Sequence, residues 1–149
     1  KKIVKSLIEI KFHKKKNTLK LGNIYTKRDW GHAKDYVAMM YKILNYKEAD
    51  DFVISSEKQF SVKEFINLVS KKLNYPLKWR GKGVKEKAYN NKNQIIIEIS
   101  KKYFRPYDIN LIGDCSKAKK KLGWKPNKNI NFLVDDMINF EINNLNEIH

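Results

Sequence analysis

The apolar residues of this chain change rhythm several times along its length, and that alternation constrains the fold more than any other feature. In residues 2–14 they fall at Ile3, Val4, Leu7, Ile8 and Phe12, the spacing of one helical face, with lysines opposite. Thr18-Leu19-Lys20-Leu21 then alternates as a short strand, closed by the turn signal Gly22-Asn23. A loop to Gly31 leads into a helix expected over residues 32–45, with Ala33, Val37, Met40 and Leu44 on its buried stripe. Phe52-Val53-Ile54-Ser55 is continuously apolar, the pattern of a strand covered on both faces.

Ser61-Val62-Lys63-Glu64 is a capping box, in which the serine accepts from a first-turn amide and the glutamate reaches back. The helix it opens carries Phe65, Leu68, Val69 and Leu73 until Asn74-Tyr75-Pro76 stops it. Residues 77–79 read as a strand, 81–93 as a mobile loop, and 94–100 as a strand built on Ile95, Ile96, Ile97 and Ile99. Tyr103-Phe104-Arg105-Pro106 is expected to be extended, because a residue before proline avoids the helical region. Asp114 caps a helix to about Leu122, Gly123 supplies the left-handed residue beyond it, and Pro126 follows. A last helix is expected over residues 131–145, burying Phe132, Leu133, Met137 and Ile138 or their neighbours. Helical and strand rhythms interleave with no repeat and no linker, so the class is α/β.

The 149 residues suit one domain of ordinary size. A net charge of +16 would ordinarily point to nucleic acid or a membrane surface. Here the excess is almost all lysine, inflated together with asparagine and isoleucine, and it fills solvent-facing positions in most helices rather than one stripe. That distribution favours a solvated surface over a nucleic-acid site. A single cysteine, Cys115, excludes an internal disulfide and a multi-cysteine zinc site, and suits a reducing, cytoplasmic setting. No apolar run approaches the ~20 residues of a membrane span. The first residues carry no signal-peptide pattern and open in mid-pattern without methionine, as expected of a piece of something longer.

Lysine dominates the basic residues so heavily that Arg28, Arg80 and Arg105 stand out. A guanidinium fork grips phosphate oxygens in a bidentate way that an ammonium cannot. Arg28 lies in Lys27-Arg28-Asp29-Trp30-Gly31-His32-Ala33-Lys34-Asp35-Tyr36, and Arg105 follows Tyr103 and Phe104; both are expected on loops. The two forks could converge on a diphosphate, or each could pair with a nearby aspartate, Asp29 or Asp108, and spacing alone leaves both open. His32 is expected to make a structural hydrogen bond at its helix start, since no second histidine or carboxylate stands at a metal-ligand spacing. Gly81-Lys82-Gly83 lacks the glycine pattern and the strand-to-helix context of a phosphate loop and reads as a plain turn. Cys115 lies one residue past a cap without an evident base partner, and Trp79 and Trp124 read as packing residues. There is no nucleophile–base pair, no metal cluster and no dinucleotide fingerprint. The residues describe a ligand-holding piece of an α/β protein, with no catalytic residue and no metal.

Leu21-Gly22-Asn23, the stretch from Lys27 to Val37, Ser61-Val62-Lys63-Glu64-Phe65, Tyr103-Phe104-Arg105-Pro106 and Lys117-Ala118-Lys119-Lys120-Lys121-Leu122-Gly123-Trp124-Lys125-Pro126 occur in an order that resembles the C-terminal part of the GDP-mannose 4,6-dehydratases, which are extended short-chain dehydrogenase/reductases. The resemblance covers essentially the whole chain. It implies that residues 1–149 form a single partial domain, the substrate-binding lobe, with residues 52–55 joining the last part of a Rossmann-type sheet. It implies a lyase reaction on GDP-mannose with bound NADP. The sugar is oxidised at C4, water is eliminated across C5 and C6, and the hydride returns to C6 to give GDP-4-keto-6-deoxymannose, a precursor of GDP-fucose.

By the same resemblance Arg28 and Arg105 hold the diphosphate, Leu21, Gly22 and Asn23 line the guanine-ribose side, Asp108 stands where the family has a glutamate near the ribose, and Lys2 matches a lysine of the substrate pocket. The family's NADP loop, its catalytic Thr and Glu and its Tyr-x-x-x-Lys precede the equivalent of Lys1. The 149 residues alone are therefore expected to be inactive, marginally stable and prone to aggregate, within a protein expected to be a homo-oligomeric tetramer or dimer that binds neither nucleic acid nor membrane. Another nucleotide-sugar epimerase or dehydratase of the superfamily, or a basic nucleic-acid-binding module, is the competing expectation.

Overall fold

The structure, a computed structural model, describes residues 1–12, 17–106 and 111–146. In chain order its elements are α1 (Lys2–Phe12), β1 (Leu19–Leu21), β2 (Lys27–Asp29), α2 (Ala33–Leu44), β3 (Gln59–Ser61), α3 (Val62–Lys72), β4 (Lys78–Arg80), β5 (Lys87–Tyr89), β6 (Ile95–Ile99), α4 (Ser116–Leu122) and α5 (Ile130–Asn146). The class is α/β. The residues gather into two compact units: one of Lys1–Thr26, Ser61–Ile109 and Val134–His149, the other of Lys27–Phe60 and Asn110–Leu133.

The first unit is built on a sheet of order β1-β6-β5-β4. β1 runs parallel to β6, with Leu19 opposite Ile97 and Leu21 opposite Ile99, and the other pairings are antiparallel. Val4, Leu7 and Ile8 of α1 and Phe65, Ile66 and Val69 of α3 are buried with Ile24, Ala88 and Ile97. The capping box forms as expected: Ser61 Oγ accepts from the Glu64 amide at 3.1 Å, and Glu64 Oε2 accepts from the Ser61 amide at 2.6 Å. Asn74, at φ 47°, turns the chain out of α3.

Residues 81–93, expected as a mobile loop, instead contain a short 3₁₀ turn (Gly83–Lys85), β5 and a turn locked by asparagine. Asn90 is buried; its Oδ1 accepts from the Lys92 and Gln94 amides at 2.9 and 3.0 Å, and its Nδ2 donates to Gln94 Oε1 and Tyr75 Oη at 2.9 and 3.2 Å. A buried amide that satisfies four partners orders a turn rather than loosening it.

In the second unit Met39, Cys115, Ala118, Leu122 and Trp124 form the core, with Ile43, Tyr46, Phe52 and Ile54 packed against it. The expected stripe of α2 is the wrong one. Val37, Met40 and Leu44 are exposed, Val37 at 61% and Leu44 at 83%, and the inward face carries Asp35, Met39 and Ile43. The helix has two apolar faces, and the buried carboxylate decides between them: Asp35 Oδ2 accepts from the amides of Asn127 and Lys128 at 3.0 and 2.9 Å. Residues 52–55, expected as a strand, form none. Phe52 and Ile54 turn inward, Val53 turns outward, and the segment is held by the Ser55 hydroxyl donating to Gly113 O at 2.6 Å and Trp124 Nε1 donating to Ser55 O at 2.7 Å.

α4 begins at Ser116, with Cys115 at its cap position, and Asp114 Oδ1 accepts from the Ser116 amide at 2.9 Å; Gly123 is left-handed at φ 63°. On α5 the buried stripe is Ile130, Val134 and Ile138, four apart, and Phe132 points outward. Among the described residues no helix is long and apolar enough to cross a membrane.

Candidate functional site

Five of the residues the sequence singled out come together where β1 ends. The Ser100 amide donates to Leu21 O at 2.8 Å, which draws the segment after β6 alongside the turn. A Cβ on Gly22 would stand 2.4 Å from Tyr103 O, so only glycine admits this approach. Asn23 then works in both directions. Its Oδ1 accepts from the Tyr25 amide at 3.0 Å, closing an Asx turn, and its Nδ2 donates to Arg105 O at 3.1 Å. Lys2 reaches the same place from α1, its Nζ donating to Lys20 O at 3.0 Å and lying 5.9 Å over the Tyr103 ring. Lys2 and Arg105 are both exposed, so the cluster offers an ammonium, a guanidinium and amide edges to a ligand.

Arg28 belongs to the other unit and sits on β2 rather than on a loop, exposed, with Nη1 donating to Lys27 O at 2.8 Å. Asp29 is committed to the turn that follows residue 55: its carboxylate accepts from Ser56 N at 2.6 Å, Ser56 Oγ at 2.6 Å and Glu57 N at 3.2 Å, where Glu57 takes φ 57°. Asp108 lies outside the described residues. The third arginine, Arg80, lies 5.0 Å over the Tyr89 ring and donates to Asn93 Oδ1 at 3.0 Å, a packing role within its sheet.

The residues between Gly31 and Tyr36 prove to be architecture. A Cβ on Gly31 would meet the Tyr36 ring at 2.0 Å. His32 caps α2, its Nδ1 accepting from the Lys34 amide at 3.2 Å, and its ring meets Phe132 edge-on at 5.4 Å. Tyr36 packs on Trp124 at 5.9 Å. With Asp35 on the 127–128 amides, this stretch ties α2 to the segment after α4. Cys115, expected to be structural, is buried in that core.

Three of the four lysines of α4 are compensated locally. Lys117 and Lys121 both bond Asp50, Lys121 at 3.1 Å, and Lys119 bonds Glu57. The Lys117 hydrogen bond, and after it that of Lys121, takes Asp50 from the ordinary 3.8 down to about 2. The same pairing raises Lys121, and the Glu57 hydrogen bond raises Lys119.

Two clefts of about 610 and 490 Å³ share Asn74, Tyr75 and Pro76, and neither is lined by a candidate ligand residue. Among the described residues no group of three His, Cys, Asp or Glu gathers that could hold a metal. The glycines of residues 81–83 do not fit a dinucleotide either: they connect two antiparallel strands, and a Cβ on Gly81 would strike Lys85 O at 2.6 Å. Their close approach is to the chain's own backbone.

Asp35 and Asn90 were missed from the sequence. The available signals were an acid four residues before Met39 on an apolar helix, and an asparagine followed four residues later by Gln94.

Comparison with known proteins bears on the order of these elements. A family profile described as GDP-mannose 4,6 dehydratase matches residues 1–137. GDP-mannose 4,6 dehydratase 2 of Caenorhabditis elegans is 41% identical over 142 residues, covering 95% of this chain and 37% of the relative. The GDP-mannose 4,6 dehydratase of Drosophila melanogaster is 40% identical over 143 residues, covering 95% of this chain and 36% of the relative. The structure of RMD from Pseudomonas aeruginosa complexed with NADPH shares the fold with a TM-score of 0.72 at 17% identity, over 93% of this chain and 40% of that one. The chain thus spans little more than a third of the length of the curated relatives it matches. A profile match running from Lys1 through α4 into α5 leaves no element to another family: the chain belongs to the GDP-mannose 4,6-dehydratase family.

Proposed function

We propose that this chain is the substrate-holding portion of a GDP-mannose 4,6-dehydratase, a lyase that converts GDP-mannose to GDP-4-keto-6-deoxymannose. The observation that carries this reading is the cluster at the end of β1, where Gly22 admits Tyr103, Asn23 holds the Arg105 backbone, and Lys2 joins them. Such a cluster suits the GDP end of the substrate: Arg105 and Lys2 answer phosphate charge, and Leu21, Gly22 and Asn23 offer an apolar edge and amides to the guanosine. Arg28 and Asp108 enter this reading through the family resemblance alone, as further ligand contacts.

Oxidation, dehydration and reduction of the sugar belong, in this reading, to residues and an NADP held in other parts of the longer family polypeptide. The lobe orients the GDP-sugar and performs no bond-breaking step. The full enzyme is cytoplasmic and homo-oligomeric, a tetramer or dimer. It binds no nucleic acid, which the pairing of the α4 lysines with Asp50 and Glu57 supports.

Calorimetric titration of the 149-residue chain with GDP-mannose, UDP-glucose and a DNA duplex tests this. GDP-mannose binds, UDP-glucose binds at least about tenfold more weakly, and DNA is not retained at physiological salt. Arg105→Ala lowers GDP-mannose affinity by about tenfold or more, in keeping with a charge-assisted contact. Equal affinity for the two sugar nucleotides, or binding indifferent to Arg105, overturns the reading. A turnover assay of these 149 residues with NADP yields no product.

A further inference from the structure

Glu86 is the most deeply buried carboxylate among the described residues, at 3% exposure, and nothing in the proposed function uses it. It sits at the end of the 3₁₀ turn between β4 and β5. Its Oε1 accepts from Lys63 Nζ at 2.6 Å and its Oε2 from the Tyr25 hydroxyl. The bonds are specific in direction, because a carboxylate only accepts and both donors converge on it from separate elements. Lys63 is sandwiched further, 5.7 Å from the Tyr25 ring and 5.0 Å from the Trp79 ring, and its own amide donates to Ile24 O at 2.8 Å. Trp79 is fixed in turn by its Nε1 donating to Asn67 Oδ1 at 2.8 Å.

Both ends of residues 24–25 are therefore held, the backbone by α3 and the side chain by Glu86. Tyr25 is also the residue whose amide closes the Asn23 turn, and Asn23 holds the Arg105 backbone. We infer that Glu86 is a positioning residue of the sugar-nucleotide site: through Tyr25 it fixes the Asn23 turn, and through Asn23 the Arg105 segment. The Tyr25 hydroxyl is raised above its ordinary 10.0 first by that hydrogen bond, so it stays a donor at neutral pH. A buried ion pair with both oxygens occupied is costly to break by halves, since removing one partner leaves the other charge unpaired. That cost makes the clamp stiff, and stiffness is what a ligand-holding turn needs.

The inference rests on the reading of Leu21, Gly22, Asn23 and Arg105 as ligand contacts, and the test separates the two. Tyr25→Phe removes one hydroxyl from a half-exposed side chain, and Glu86→Gln keeps the shape while removing the charge. In the 149-residue chain, amide NMR shifts of Asn23 and Arg105 change in Tyr25→Phe, while those of Ser56 and Glu57 stay still. GDP-mannose affinity falls about tenfold, the scale of one lost charge-assisted bond, while far-UV circular dichroism at the titration temperature stays that of the parent. If Glu86→Gln fails to fold, Tyr25→Phe alone decides. Unmoved Asn23 and Arg105 amides overturn the inference, as do moved amides with undiminished affinity. If the parent chain binds no GDP-mannose yet the amides move, the ligand reading falls while the clamp from Glu86 to Arg105 stands.

Discussion

The two units solve the same problem with different materials. The first buries aliphatic side chains of α1 and α3 against a four-stranded sheet, with buried polar groups at the Ser61 cap, the Asn90 turn and the Glu86 clamp among others. The second has only β2 and β3 paired and relies on a small core laced by side-chain to backbone bonds: Asp35 to 127–128, Asp29 to 56–57, Ser55 to Gly113, and Trp124 to Ser55. Apolar packing is non-directional and tolerates small displacements. A lattice of hydrogen bonds to backbone is directional, and each missing partner leaves a buried group unsatisfied. The candidate cluster of Lys2, Asn23 and Arg105 lies on the packed unit. The stretch from Gly31 to Tyr36 lies on the laced one.

Substitutions can break that contrast in a graded way. Phe65→Ala in the packed unit should cost the most, about 3–5 kcal/mol, enough to unfold a domain of marginal stability; circular dichroism at 25 °C reads it out. Asp35→Ala in the laced unit orphans two amides and should cost about 2–3 kcal/mol, with amide exchange accelerating at Asn127 and Lys128. A wild-type-like melt for Asp35→Ala would show that its bonds are decorative. Gly22→Ala forces Tyr103 away and should weaken GDP-mannose binding about tenfold with a smaller change in Tm. Val37→Lys with Leu44→Lys should leave Tm within a few degrees yet lower self-association in sedimentation, because both residues face out of α2.

The smallest effect is electrostatic. Asp50 is lowered from 3.8 to about 2 by Lys117 and Lys121, so its contribution is fully present above pH 4 and is lost as pH falls toward 2. The pair is at the surface, so melts recorded across that window should fall slightly more steeply for the parent than for Asp50→Asn.

Much of the packed unit was legible because its signals are local. The stripes of α1 and α3, the capping box and the isoleucine strand depend on neighbours within a turn or two. β5 was not legible, since Lys87-Ala88-Tyr89 has no pattern of its own and becomes a strand only between β4 and β6. The inward face of α2 was misread because an apolar count favours Val37, Met40 and Leu44, while a distant pair of amides favours Asp35. The resemblance set Arg105 with Arg28 on a diphosphate and Asn23 on the guanine-ribose side; the Asn23 bond to the Arg105 backbone was not legible. Nor was Glu86, because Tyr25 and Lys63, its two donors, lie far from it in sequence and its neighbours are lysines. The order of residues 31–36 likewise could not show that they join α2 to Trp124 and the 127–128 backbone.

The threading of the two units has a consequence for how the chain folds. The first is assembled from three separate stretches, with the second inserted between them. Leu19 of the first stretch pairs with Ile97 of the second stretch, and Val134 and Ile138 are buried from the third. Pairing between such distant stretches must close long loops before any contact rewards it, which slows folding relative to a unit built from one continuous stretch. Until those loops close, the aliphatic faces of α1 and α3 are uncovered, and refolding yield should fall as chain concentration rises.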